Sequence, residues 1–433
     1  MYRIKSVLLS FLLSVFLVGH AQVNQNRCGT FDVMKFKEQQ TPGYLQQVRN
    51  VFNQAQDLAQ SQSNSRDAYD TIYNIRCVFH VVYQNVDENI PDSVIYSQIE
   101  VLNEDYRRLN SDSVKTRGVF LPVAADARIQ FQLATADPDG NPTNGITRTV
   151  GNPQGFLGFS PFDDNVKSAA LGGKDPWPTD RYLNIWVCSV LNGFGVLGYA
   201  YPPDNAPNWP NGSGSDSAKQ GVVLHYPVVG RNFSTPIDAT VAKGRSAVHE
   251  IGHYLGLRHI WGDGDCTEDD GIADTPDADA AHQQTCDTAS NSCTEASSPQ
   301  VPDMIENYMD YSDDRCLNMF TLGQIGIMRS MLQTSRAGIA DRIVETSIKE
   351  ADFGAALKVF PNPTKGMFEI TFPKNLSGDY SIEIYNTIGE RIFTKNISNK
   401  YAATIDIAGY AAGVYYVQLT NGNQTAVKKI IKN

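Results

Sequence analysis

The rhythm of apolar and polar positions changes several times along the chain, and each change marks a stretch with a different role. The only long apolar run, Val7 to Gly19, follows Arg3 and Lys5 and ends at Gly19-His20-Ala21. A run that short cannot span a bilayer as a stable helix, and its small-x-small end suits a signal peptidase, so residues 1–21 read as a secretory signal. Residues 22–65 are rich in Gln and Asn, with a weak helical stretch around Tyr44 to Leu58. Such a composition cannot bury enough apolar surface for a core of its own, and the stretch reads as a pro-segment. The polar run Ser61 to Arg66 is an exposed, cleavable boundary.

Beyond it the pattern becomes globular, and residues 66–345 read as one domain. Ile75 to Tyr83 is a buried strand, Ile129 to Leu133 alternates at period two, and Leu183 to Cys188 and Gly221 to Tyr226 supply further strands. Between the first two, Ile95, Ile99, Leu102 and Tyr106 fall at helical spacing within Ser93 to Asn110. Ala239 to Leu257 reads as a second helix stopped by Gly256, the stretch from there to about Pro302 as irregular chain, and Thr321 to Arg342 as a closing helix. Strands and backing helices come first and loops later. The expected fold is therefore α+β, with a mixed twisted sheet in an upper lobe, a loop-rich lower lobe, and the active site between them. Residues 346–356 break the pattern as a linker. From Leu357 to Asn433 every segment is short and β-like, as in Met367 to Phe372, Tyr380 to Tyr385 and Val414 to Leu419. That pattern predicts a small all-β sandwich.

A net charge of −11 argues against a nucleic-acid partner, which needs clustered Lys and Arg. Much of the acid is local: Asp263, Asp265, Asp269, Asp270, Asp274, Asp277 and Asp279 crowd one loop, which repels itself unless solvated or neutralised by a cation. Of seven cysteines, Cys266, Cys286, Cys293 and Cys316 lie in or near loops, and the sequence alone permits them three pairings. Cys77 and Cys188 sit in β-like runs, and Cys28 stands alone near the mature N-terminus.

The chemistry concentrates in His249-Glu250-Ile-Gly-His253-Tyr-Leu-Gly256-Leu-Arg-His259. Histidines at i and i+4 project from one helical face, close enough to share a metal. Glu250 flanks that metal without ligating it, and Gly256 permits the turn that brings His259 up from below. Three neutral imidazoles leave a fourth position of a zinc ion open to water, and Glu250 is placed to take that water's proton. The expectation is zinc-promoted hydrolysis of a peptide bond.

With Asn307-Tyr308-Met309-Asp310-Tyr311 downstream, the motif resembles the metzincin clan of zinc metalloendopeptidases, and the stretch from about Arg27 to Leu332 is similar to its pappalysin family. The resemblance implies a metzincin catalytic fold and a Met-turn in which Met309 floors the histidines. It also implies that Tyr311 stabilises the oxyanion. Arg27-Cys28-Gly29 looks like a cysteine switch, in which the Cys28 thiolate holds the open zinc position until a cut at Ser65–Arg66 releases the pro-segment. The family places an acid at the base of the S1′ pocket just past the Met-turn. Asp314 fits this, with Asp310 and Asp313 as neighbours that could serve instead, and a pocket of this kind prefers Arg or Lys at P1′. Family pattern further implies disulfides Cys266–Cys293 and Cys286–Cys316, and structural Ca²⁺ held by Asp269, Asp270, Asp274 and Thr275.

At the C-terminus, Val359-Phe-Pro-Asn-Pro, Asn386-Thr-Ile-Gly-Glu-Arg, Gly413-Val-Tyr-Tyr-Val and Lys428-Lys-Ile-Ile-Lys-Asn433 together resemble the sorting domain of the type IX secretion system. The Ig-like sandwich expected there would engage that machinery and bring the protein, through the periplasm, to the bacterial surface or beyond. Protein or peptide substrates, and action as a monomer, complete the expectation. The competing readings are an adhesin that keeps an inactive zinc site, disfavoured by retention of Glu250, and a zinc hydrolase of non-peptide amides, disfavoured by the Met-turn and pro-segment.

Overall fold

The computed structural model describes residues 27–62, 71–151, 164–190, 196–203, 220–232, 238–294, 300–344, 357–371, 379–398, 402–421 and 424–433. The expected signal peptide, Ser65–Arg66 boundary and linker lie outside the described residues. The chain divides into two compact units, Met1–Val344 and Glu345–Asn433.

In the first unit everything is hung on one long strand, β1 (Thr71–Tyr83), rich in the Val, Ile, Phe and Tyr that a pleated surface favours. One edge pairs first with β2 (Ile129–Leu133) and then with β3 (Ile146–Val150), both parallel. The other edge pairs with an antiparallel strand, β7 (Ala340–Val344), and then with parallel β4 (Leu183–Cys188). β6 (Val222–His225) follows β4 in parallel, and the short antiparallel β5 (Gly198–Ala200) forms the outer edge. Parallel strands need cover on both faces, and β4 and β6 are buried at every residue. The backing helix α3 (Asp92–Tyr106) buries Ile95, Val101, Leu102 and Tyr106, and the Tyr106 hydroxyl donates to the Val248 carbonyl at 3.0 Å in α4 (Arg245–Tyr254), the helix that carries His249 and His253.

Two helical expectations need correction. Ala239 to Leu257 is not continuous: a 3₁₀ turn (Ala239–Val241) precedes α4, and left-handed glycines, Gly244 (φ +77°) and Gly256 (φ +94°), bound the helix on either side. The closing helix α5 (Leu322–Met331) starts on a capping box of Thr321 and Gln324, but ends well before Arg342. After it Gln333, Thr334 and Ser335 break the apolar period, and the following Ile and Val join the sheet as β7. Two helices precede β1. α2 (Tyr44–Gln62) matches the weak helical pattern, whereas α1 (Thr30–Gln40) was not expected, since it buries only Thr30, Val33 and Lys37 and so shows no apolar stripe. Val51, Phe52 and Ala55 of α2 nevertheless belong to the main core, together with Leu257, Ile272, Ile325 and Met328.

Among the described residues no helix or strand lies between Tyr254 and Leu322. Cross-links tie this lower lobe instead: Cys266 is bonded to Cys293 and Cys286 to Cys316. Cys28, Cys77 and Cys188 are free and buried. No described helix is long and apolar enough to cross a membrane.

The second unit has two antiparallel sheets. β10 (Asp379–Tyr385) lies between β11 (Arg391–Ser398) and β13 (Gly413–Asn421), with β14 (Gln424–Lys432) beyond; β9 (Met367–Thr371) lies between β12 (Ala402–Asp406) and β8 (Lys358–Phe360). Alternate residues such as Phe368, Ile370, Ile382, Ile384, Val417 and Leu419 form its core.

Candidate metal centre

The lone pairs of three imidazoles converge at one point. His249 and His253 project from α4 one turn apart, and the turn at Gly256 brings His259 back beneath them. Their Nε2 atoms are 3.0 to 3.3 Å from one another. Each Nδ1 faces an acceptor: the Tyr308 carbonyl at 2.7 Å for His249, the Leu257 carbonyl at 2.9 Å for His253, and the Asp263 carboxylate at 2.5 Å for His259. Those acceptors fix the hydrogen on Nδ1 and leave every Nε2 as a bare donor. Three such donors repel one another unless a cation lies between them, and ligands about 2 Å from a tetrahedral ion stand roughly 3.3 Å apart. Burial pushes the His249 and His253 pKa values down, His253 to about 3, so the ligand forms are the ones present. The donor set fits a metal ion.

Cys28 completes the set, its Sγ gathering with the three histidines in one buried cluster. Residues 27–29 reach this point by pairing with the edge strand: Leu197 N–H donates to the Arg27 carbonyl at 3.1 Å and Gly29 N–H to the Gly198 carbonyl at 2.8 Å. Burial and the neighbouring Glu250 carboxylate push the Cys28 thiol up, so its thiolate form needs a cation beside it. Glu250 is wholly covered: its Oε2 accepts from the Cys28 thiol at 3.3 Å and the Thr30 hydroxyl at 3.1 Å, and burial lifts its pKa to about 8.

Beneath the histidines, Gly252 lets the turn at Met309 approach, since a Cβ at that position would stand 2.4 Å from the Met309 sulfur. Tyr311 packs edge-on against His259 and Trp261, and its hydroxyl donates to the Cys28 carbonyl at 3.3 Å. The three aspartates past the turn have different partners. Asp310 accepts from His282, Asp313 pairs with Arg315, and Asp314 receives the buried guanidinium of Arg27. Arg27 also donates to the Ser312 carbonyl at 2.6 Å.

The acidic loop meets this centre at Asp263, and its later carboxylates have other partners. Asp270 is fully buried, one carboxylate oxygen accepting from Ile272 N–H and the Thr275 hydroxyl at 2.8 Å each, the other without a hydrogen-bond partner. Asp269 accepts from Gly271 N–H, and Asp274 accepts from the Thr321 hydroxyl and Gly323 N–H at the start of α5.

A family model described as pregnancy-associated plasma protein-A matches residues 171–333, and one described as secretion system C-terminal sorting domain matches residues 358–433. The extracellular metalloprotease of Pyricularia oryzae is 31% identical over 251 residues, covering 58% of this chain and 70% of its own. That of Arthroderma gypseum is 28% identical, with 76% of this chain and 90% of its own covered. Among solved structures, a point mutant of promirolysin from Tannerella forsythia is similar at 40% identity and a TM-score of 0.62, with 72% of this chain and 96% of that chain covered. The chain belongs to the pappalysin family. Mature mirolysin in complex with a cleaved peptide is similar at 44% identity over 62% of this chain and 95% of that chain, with a TM-score of 0.56. This pappalysin is an extracellular metalloendopeptidase with a catalytic metal, its first unit has the metzincin fold, and its C-terminal unit is a type IX secretion sorting domain that directs it to the cell surface or outside.

Several residues of the site escaped the sequence reading. Asp263 was visible only as one acid among many, although its spacing, four residues past His259, was the available clue to its pairing with that histidine. Thr30 carries no signal, and the segment from Thr240 to Arg245 that cradles Asp314 gives none either.

Proposed function

We propose that this pappalysin is a zinc endopeptidase made as a latent zymogen, closed by residues 22–65 until the chain is cut at Ser65–Arg66, and that it prefers Arg or Lys at P1′. The observation that carries the reading is Arg27. Its guanidinium, 1% exposed, fills a pocket floored by Asp314 while the next residue, Cys28, meets the histidines. A pocket that accepts the pro-segment's arginine this way suits a substrate's arginine or lysine.

His249, His253 and His259 would hold the zinc ion, with Cys28 as fourth ligand in the zymogen. Bound there, zinc supplies Lewis-acid activation of the scissile carbonyl and of water. Glu250 is the general base: freed of Cys28 and Thr30, whose thiol and hydroxyl it now accepts from, it takes a proton from water and returns it to the departing amine. Tyr311 donates to the oxygen that gains charge as the bond is attacked, a role supported by its present donation to a peptide carbonyl, that of Cys28. Met309 holds the floor. Asp269, Asp270, Asp274 and Thr275 are proposed to hold structural calcium, supported by the unpartnered buried oxygen of Asp270. The enzyme is proposed to act as a monomer on protein and peptide substrates.

The test is cleavage mapping of the activated enzyme on a mixed peptide library, with a chelator arm and a Glu250→Ala arm. Arg or Lys should follow most cut bonds, and both arms should be silent. Cuts without basic enrichment refute the pocket assignment; undiminished cutting by Glu250→Ala refutes the mechanism.

A further inference from the structure

Asp314 is held from behind by a second charge network. Its backbone N–H donates to the Thr240 carbonyl and its Oδ2 accepts from Lys243 N–H, each at 2.8 Å. Its own carbonyl accepts from Nη1 of Arg245, the first residue of the active-site helix, at 2.5 Å. A buried arginine touching the main chain of the pocket's acid would ordinarily cancel that acid's charge and make the pocket indifferent to cations. Here the Arg245 guanidinium is clamped on both remaining sides. Asp105 takes Nε and Nη2 at 3.2 Å each, and Asp112 takes Nη1 at 2.9 Å and Nη2 at 2.7 Å. Both aspartates and Arg245 are under 10% exposed, so their mutual attraction is only weakly screened. Lys243, half out in solvent, reaches Asp112 from the other side at 3.2 Å.

With Arg27 in the pocket, the buried charges are two positive (Arg27, Arg245) against three negative (Asp105, Asp112, Asp314), and the ammonium of Lys243 balances the remainder. Removing Arg27 leaves one uncompensated negative charge, and Asp314 is the member of the network that faces the vacated space. We propose that Asp105 and Asp112 are positioning residues that set the P1′ preference by neutralising Arg245, which keeps the charge of Asp314 free for a cationic side chain. The proposal rests on the reading of Asp314 as the acid of the S1′ pocket.

It is tested on activated enzyme with two quenched peptides that differ only in Arg or Met at P1′. Asp112→Asn leaves Arg245 half-neutralised, so the ratio of kcat/KM for the Arg over the Met peptide should fall roughly tenfold, the scale of one unit charge several ångström away at a protein-like effective dielectric. The fall should lie in KM for the Arg peptide, and Asp112→Glu should restore it. A parallel loss on both peptides, as from a merely structural role, overturns the proposal. If Asp112→Asn fails to fold, Lys243→Met carries the test, because it removes an exposed cation and keeps the backbone donor: the ratio should rise about threefold, and an unchanged or lowered ratio overturns the proposal. Asp314→Asn separates the two layers. If it loses the Arg preference while Asp112→Asn keeps it, the network idea alone fails; if Asp314→Asn keeps the preference, the pocket assignment fails with it.

Discussion

Replacing Arg27 by Ala in the full chain should loosen the hold of the proposed pro-segment by a calculable amount. The guanidinium is 1% exposed and the Asp314 carboxylate is fully buried, so the variant keeps a buried carboxylate that has lost its partner. Deleting one member of a buried pair costs about 3–5 kcal/mol. The low end applies here, because Lys243 N–H still donates to Asp314 and the emptied pocket has room for water. About 3 kcal/mol is roughly a hundred-fold in the equilibrium between closed and open pro-segment. Opening is read from Cys28, which is buried when closed, in a Glu250→Ala background that cannot process itself. Iodoacetamide should label Cys28 about a hundred-fold faster in Arg27→Ala, by mass spectrometry, while buried Cys77 and Cys188 stay unlabelled. Arg27→Lys should recover most of the protection. Equal labelling rates in Arg27→Ala and its parent would refute the argument that this pair locks the segment.

Further outcomes can be checked in protein that keeps Glu250. Tyr311→Phe should lower kcat roughly 10²- to 10³-fold with KM little changed, as expected for a donor used only when charge develops; a pure KM effect contradicts that role. Gly252→Ala puts a methyl group into the buried Met309 sulfur and should cost about 1–3 kcal/mol of stability, seen as a lowered Tm. His282 bridges Asp303 at 3.1 Å and Asp310 at 3.0 Å, and these carboxylates raise its pKa to about 10. A raised histidine contributes stability that is complete below its unfolded value near 6.5 and lost as pH rises through about 10. The urea midpoint of the protein should therefore fall between pH 7 and 10.5, and His282→Ala should flatten that limb.

The histidines were legible because their chemistry is local: one helical turn separates two of them, and a left-handed glycine delivers the third. The long strand β1 and the backing helix were legible for the same reason, as each carries its own periodicity. Asp314 could not be told from Asp310 and Asp313 by sequence, because what distinguishes them are partners elsewhere in the chain, Arg27 for one and His282 for another. The clamp of Asp105 and Asp112 on Arg245 is equally remote in sequence. α1 was missed because it is held by docking and not by an apolar stripe, and β7 because its five residues, Ala-Asp-Arg-Ile-Val, carry no clear period of their own.

That α2 shares the main core has a consequence for timing. Val51, Phe52 and Ala55 are packed with residues of the catalytic unit, Gln56 donates to the Gly271 carbonyl at 2.5 Å, and the Gln62 and Gln333 amides bond reciprocally. Severing the backbone beyond Gln62 breaks none of these contacts. It converts a tethered ligand, at a millimolar effective concentration, into a free one whose rebinding depends on how far it has been diluted. On the proposed reading, a cut at Ser65–Arg66 would be a licence and dilution the trigger: nicked protein should stay shut where molecules are crowded and open as it spreads into open volume outside the cell.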